Sequence, residues 1–258
     1  MKKIPVIGTA VVANPEWVQR LYISIDYPTE VFVIFNNSGK KEIADELENL
    51  RHIPHEFVSE LKICHLPTNI GVSGAWNMII KSYLMAPYWI ITNDDVSFTE
   101  GFLKEMVTEA IDEEVGIVHG YGGDFGDGAW DLFLIKDWVI QSHGLFDENL
   151  YPAYCEDADY TMRLAAKPIK RITSLEKTYY HGEGLASEYY TYGSKTKKTS
   201  TELYEKLTEV NLINFNYMTE KWGPGWRQTN PWKRPYDVLP IFYTSYDLKF
   251  VRKKYLGF

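Results

Sequence analysis

Five short apolar runs rich in β-branched residues punctuate the first 119 residues: Val6 to Val12, Val31 to Phe35, Leu61 to Leu66, Tyr88 to Thr92 and Val115 to His119. Each is bounded by turn residues and reads as a buried strand. Between them, helical spacing recurs at Pro15 to Ile25, Lys41 to Arg51, Ser73 to Leu84 and Glu100 to Ile111. Strands that alternate with helices confine the chain to an α/β architecture with a mostly parallel sheet covered on both faces. Ligands in such folds bind at the carboxyl ends of the strands.

After about residue 120 the rhythm changes to a Gly-rich loop, Gly120 to Gly128, an apolar run from Ala129 to Ile135 and a helix near Glu156 to Ala165. This second half reads as α+β. Lys195 to Ser200 reads as a polar, basic loop, Thr201 to Lys221 returns to helical spacing, and the tail from Trp222 is rich in Pro, Gly and aromatic residues. A chain of 258 residues with 45% hydrophobic content can form one domain with a real core. We therefore expect one domain over 1–220, divided into halves at 1–118 and 119–220, with 221–258 as an extension packed on it.

Composition narrows the function classes. The formal charge of −8 and pI near 5.3 argue against a nucleic-acid partner, whose affinity would rest on Lys and Arg. No stretch approaches the roughly 18 apolar residues of a membrane span. Met1-Lys2-Lys3 leads into a run interrupted by Pro5 and Gly8, which reads as a strand and not as a signal peptide. Cys64 and Cys155 are too few for a disulfide framework, so a reducing, cytoplasmic setting is expected. The aromatic fraction of 15% suits both core packing and sugar stacking.

The run Tyr88-Trp-Ile-Ile-Thr-Asn-Asp-Asp-Val96 drives a strand straight into Asn93, Asp94 and Asp95. Adjacent carboxylates are costly to bury unless a cation or hydrogen-bond donors meet them, and a divalent ion bridging to a pyrophosphate meets both needs. A polar turn before a helix at Thr99 fits the same residues. Asn69-Ile-Gly-Val-Ser-Gly-Ala-Trp-Asn77 places Gly71 and Gly74 where a strand-to-helix loop lets a nucleotide approach the backbone, although glycines needed only for helix docking fit equally. The segment carries neither the Walker pattern nor the dinucleotide fingerprint, which disfavours a P-loop kinase and an NAD enzyme.

Glu156, Asp157 and Asp159 cluster at a helix start, where acids also favour the helix dipole. Asp157 and Asp159 point about 200° apart, so the three acids cannot share one role. Asp159 can pair with Arg163 one turn on. Glu156 lies only about 60° from Asp159 and is expected on the face that Arg163 neutralises, which leaves Asp157 the least committed. His181, in Tyr179-Tyr-His-Gly-Glu-Gly184, becomes a candidate ligand once a metal is suspected. A carboxylate with an imidazole suits Mn²⁺ somewhat better than Mg²⁺.

In this order the motifs resemble the family 2 glycosyltransferases of the GT-A fold, over roughly residues 4 to 190. The resemblance implies a single Rossmann-like domain with a nucleotide-sugar half, an α+β acceptor half and a C-terminal helical and aromatic tail. Asn36-Asn37-Ser38 is similar to the family's nucleoside loop, and Asn69-Ile-Gly71 with Gly74 and Asn77 to its next nucleotide loop. Asn93-Asp94-Asp95 stands at its DXD motif, and Tyr217-Met-Thr-Glu-Lys-Trp-Gly223 is similar to a tail segment.

Thr9, Ala10, Val11, Asn37, Asn69, Gly74, Asn77, Asn93 and Asp94 are then expected to bind the nucleotide diphosphate sugar, and Asp95 and His181 to hold Mn²⁺ or Mg²⁺. Gly144-Leu-Phe-Asp147 and Glu156-Asp157-Ala-Asp159 resemble the acceptor-side signature, which makes Asp157 the base, with Glu156 beside it as a second catalytic candidate. The implied activity is inverting transfer of a sugar, from family habit a uridine diphosphate sugar, to a carbohydrate or other hydroxyl acceptor. Lys195, Lys197 and Lys198 could close over the phosphates, or form a solvated basic loop. Two other classes stay open: a nucleotidyltransferase acting on sugar phosphates, which would release pyrophosphate, and a silent carbohydrate-binding protein, which would tolerate loss of Asp95.

Overall fold

The computed structural model describes residues 3–123, 128–188 and 201–225. The Lys195 to Ser200 loop, the middle of the Gly-rich loop at 124–127 and the tail from 226 onward lie outside the described residues.

The chain runs β1 (Ile4–Val11), α1 (Pro15–Ile23), β2 (Thr29–Asn36), α2 (Lys41–Glu48), β3 (Val58–His65), α3 (Gly71–Ser82) and β4 (Tyr88–Asn93). It continues through β5 (Val96–Phe98), α4 (Phe102–Glu109), β6 (Val115–His119), β7 (Leu132–Lys136), α5 (Asp137–His143) and α6 (Glu156–Ala166). After β8 (Lys170–Ile172), β9 (Tyr179–His181) and β10 (Gly184–Leu185) comes a long helix, α7 (Thr201–Trp222). Among the described residues the central sheet has seven strands in the order β3-β2-β1-β4-β7-β6-β8, and a second sheet of three strands is ordered β10-β9-β5. β1 to β4 are parallel to one another, whereas β7 runs antiparallel to both β4 and β6. The mostly parallel α/β reading therefore stands, with one reversed strand inserted between β4 and β6.

Period-two alternation distributes the core over the two faces. Ile7, Ile90 and Leu134 face the layer of α1 and α4, while Val6, Ile91 and Phe133 face that of α3. Gly8 lets α3 come close, since a Cβ there would lie 2.5 Å from Ile79. One expectation fails. β3 is not buried, and Val58, Leu61 and Ile63 are only half-covered, because β3 ends the sheet and has no outer neighbour among the described residues. Asp94 and Asp95 do form a turn, but β5 rather than a helix follows it directly, because Val96 to Phe98 pair antiparallel with β9.

The second half packs back through α7. Met218 and Trp222 close over Leu150, Cys155 and Met162, so the end of the helix rests on the segment that leads into α6.

Candidate active site

The expected donor residues gather along one end of the sheet. Register places Ala10 beside Asn93 and Val11 beside Asn36, so the ends of β1, β2 and β4 are level. Asn37 follows β2 and takes over where the strand stops. Its N–H donates to the Val11 carbonyl at 2.8 Å, its side-chain oxygen accepts from Ile70 N–H at 2.8 Å, and its amide donates to the Gly71 carbonyl at 3.2 Å. The two loops expected to flank a nucleotide are thereby fastened together.

Gly71 has φ of +81°, and a Cβ there would meet Tyr151 at 3.0 Å and the Pro152 carbonyl at 3.1 Å. The adjacent Val72 N–H donates to that carbonyl, and Tyr151 donates to the Asn69 carbonyl at 3.2 Å. The loop before α3 thus touches the segment that leads to the acids of α6.

Not every expected donor residue has an open side chain. Ala10, Asn69, Asn93 and Asp94 keep part of their surface, whereas Thr9, Val11, Asn37, Gly74 and Asn77 are buried. Asn77 serves as a brace: its amide donates to the Phe146 carbonyl and to Glu148, both at 2.8 Å, and its oxygen accepts from Phe146 N–H at 2.9 Å. It ties α3 to the Gly144 to Asp147 turn. Thr9 is fully buried and its hydroxyl lacks a hydrogen-bond partner.

β4 ends on the acidic pair. Burial, and then the charge of Asp95, push the Asp94 carboxyl well above the usual carboxylate range. Asp95 is 4% exposed, its carbonyl accepts from Gly182 N–H at 2.7 Å, and β5–β9 pairing sets Val96 opposite His181. His181 Nε2 consequently lies 3.2 Å from Asp95 Oδ1, joining two residues 86 positions apart (181 − 95).

The same ring has a second carboxylate neighbour, which sequence patterns did not single out: Nδ1 lies 2.8 Å from Asp131 Oδ2, which also accepts from the Tyr179 hydroxyl at 2.8 Å. Burial opposes a charge on the imidazole, but hydrogen bonds to Asp131 and Asp95 outweigh it and raise His181 to about 10. Burial likewise opposes ionisation of Asp131, and the His181 contact prevails and lowers it.

The acids of α6 diverge in environment. Asp159 is fully buried and pairs with Arg163, as their spacing predicts; it also accepts from Lys221 at 2.7 Å and Trp222 at 2.8 Å. Glu156 departs from expectation. Arg163 directs its remaining hydrogen bonds to the carbonyls of His143 and Leu145, so the face near Glu156 is not neutralised by it. Glu156 is 8% exposed, its Oε2 lacks a partner, and burial followed by the charge of Asp157 raises it to about 8. Asp157 is exposed and accepts from Ala158 N–H at 2.7 Å. Tyr154 and Cys155, just before them, have φ of +77° and +72°, a left-handed conformation that is strained for residues with side chains.

A divalent ion has a compatible donor set in Asp95 and His181. Among the described residues no group of three or more His, Cys, Asp or Glu side chains could hold a metal ion by itself. Two protein ligands leave the other positions to phosphate oxygens and water, as Mg²⁺-type nucleotide sites do.

A sequence model described as Glycosyl transferase family 2 matches residues 15–159. The chain is 23% identical to a galactofuranosyl glycosyltransferase of Leishmania donovani, over 70% of this chain and 57% of the relative. Two solved structures share its fold. S. aureus TarS 1-349 aligns with a TM-score of 0.53 at 16% identity, over 98% of this chain and 73% of that one. GalNAc-T7 with UDP, GalNAc and Mn2+ aligns with a TM-score of 0.61 at 12% identity, over 99% and 57%. The chain spans 57% of the length of the curated relative and 36% of a longer TarS chain.

Proposed function

The chain belongs to glycosyl transferase family 2, and from that premise we propose that it transfers a sugar from a nucleotide diphosphate, in the simplest case uridine diphosphate, to a hydroxyl acceptor with inversion at the anomeric carbon. The observation that carries this reading is the Asp95–His181 pair at the end of β4, beside the loops around Asn37 and Asn69. Uridine diphosphate and Mn2+ in the GalNAc-T7 structure, which has the same fold, support the choice of nucleotide and ion.

Asp95 and the Nε2 of His181 would hold the cation, and the open parts of Ala10, Asn69, Asn93 and Asp94 would face the donor. When bound, the ion supplies positive charge against the charge that develops on the departing diphosphate. Asp157 takes the proton from the acceptor hydroxyl. Of the three acids at the head of α6 it alone is exposed, whereas Asp159 is buried and neutralised by Arg163 and Lys221. Glu156, raised to about 8, holds its proton at neutral pH and cannot accept another. The domain limits stand as part of the proposal, with donor binding in 1–118 and acceptor binding in 119–220. Cys64 and Cys155, which form no disulfide, suit a reducing cytoplasm. No helix among the described residues is long and apolar enough to cross a membrane.

Incubation with a panel of nucleotide sugars, with Mn²⁺ or with a chelator, tests the reading directly. Metal-dependent release of nucleoside diphosphate is expected, and Asp157→Asn should lower acceptor-dependent turnover by about 10² to 10⁴ with donor affinity nearly intact. Release of pyrophosphate would instead indicate a nucleotidyltransferase. Turnover that survives Asp157→Asn but not Glu156→Gln would move the base by one residue.

A further inference from the structure

We propose that Asp131 is a positioning residue that acts through His181 to set how strongly the site binds a divalent cation; the inference rests on the reading that Asp95 and His181 are the protein's metal ligands.

Asp131 is fixed from two directions. Its main-chain carbonyl accepts from Asn93 N–H at 2.8 Å, which ties it to the strand end that delivers Asp94 and Asp95. This contact follows from the reversed strand: β7 pairs Leu132 with Thr92, and the next residues outward are Asp131 and Asn93. The Asp131 side chain, in turn, meets both Tyr179 and His181. Those residues lie two apart on β9 and so point to the same face. Tyr179 is itself held in place, because it packs edge-on against Phe102, and Gly120 makes room for its ring, where a Cβ would come within 2.7 Å.

A histidine ligates metal through an unprotonated ring nitrogen, and a carboxylate on the other nitrogen settles which nitrogen that is. Here Asp131 occupies Nδ1 at 2.8 Å, and Nε2 is the nitrogen that faces Asp95 at 3.2 Å. With Nδ1 held by Asp131, Nε2 is the ring nitrogen left to meet a cation, beside the Asp95 carboxylate. Asp131 thus orients one ligand towards the other. Its Oδ2 meets both Tyr179 and His181, while Oδ1 is buried and has no hydrogen-bond partner among the described residues.

The test is a double-mutant cycle read by Mn²⁺ binding alone, with free ion followed by electron paramagnetic resonance on the full chain. Asp131→Asn should weaken Mn²⁺ binding by about 10- to 100-fold in the wild-type background, the usual worth of such a partner. In a His181→Ala background the same change should cost almost nothing, because its route of action is gone. Tyr179→Phe removes only the hydroxyl that steadies Asp131 and should give a smaller loss that also vanishes without His181. It serves as the check if Asp131→Asn fails to fold. Equal losses in both backgrounds would make Asp131 an independent ligand and overturn the inference. So would an unchanged affinity in Asp131→Asn while His181→Ala binds weakly, and in that case the metal site itself would stand. If neither Asp95→Ala nor His181→Ala alters Mn²⁺ binding, the underlying reading and the inference fall together.

Discussion

Glu156 and Asp157 stand one peptide bond apart, yet one carboxyl is enclosed and the other open. The enclosed group makes a prediction about pH. Its value is raised from 4.5 to about 8, so between these limits the folded protein holds a proton that the unfolded chain has lost. The stability contribution is fully present below about 4.5 and disappears as pH rises through about 8. Glu156→Gln removes this dependence. Thermal melts across the range should show wild type losing stability relative to the variant as pH rises, and parallel curves would place Glu156 in a solvated environment. Single-residue spacing made the Asp159–Arg163 pair legible in advance, because one helical turn brings them together whatever the rest of the fold does. It could not disclose Asp131, whose contact with His181 depends on an antiparallel strand, nor the unneutralised state of Glu156, which depends on Arg163 turning to carbonyls outside its helix.

At the scale of elements, α7 is fastened to the acidic segment by a buried network. Lys221 lies 2.7 Å from both Asp147 and Asp159, and the Tyr217 hydroxyl donates to Asp147 at 2.7 Å. Asn214 donates to the carbonyls of Ala153 and Tyr154, at 2.8 and 3.1 Å, where the chain enters the left-handed turn. Burial opposes ionisation of Asp147, but the charges of Lys221 and Arg163 prevail and lower it to about 2. Lys221→Met would leave two buried carboxylates sharing one cation, so urea melts should show a loss of about 3 to 5 kcal/mol. A melt unchanged from wild type would mean that Lys221 adds nothing to the hold of Asn214, Tyr217, Met218 and Trp222. The periodicity of Thr201 to Lys221 announced the helix, and the alternation of the first half announced β1, β2, β4 and β6. The short strands β5, β8 and β10 carry too few residues for periodicity to register. They form because antiparallel partners, and for β8 the parallel β6, lie alongside.

Across the whole molecule, one end of the sheet unites what the sequence keeps apart. The loops after β1, β2 and β4 face it from the first half, while the second half sends His181 to Asp95 and the Tyr151–Pro152 segment to the loop before α3. The order of these segments along the chain carried the family resemblance, and the match over residues 15–159 agrees with it. The central claim is that a nucleotide diphosphate and a divalent ion bind this end together, with Asp95 and His181 as the protein's share of the coordination. Calorimetric titration of uridine diphosphate into the full chain, with Mn²⁺ and with a chelator, measures that linkage. The account predicts tighter binding with Mn²⁺ in the wild type and the same weak binding under both conditions in a folded Asp95→Ala variant. A metal-linked gain that persists undiminished in Asp95→Ala would contradict it.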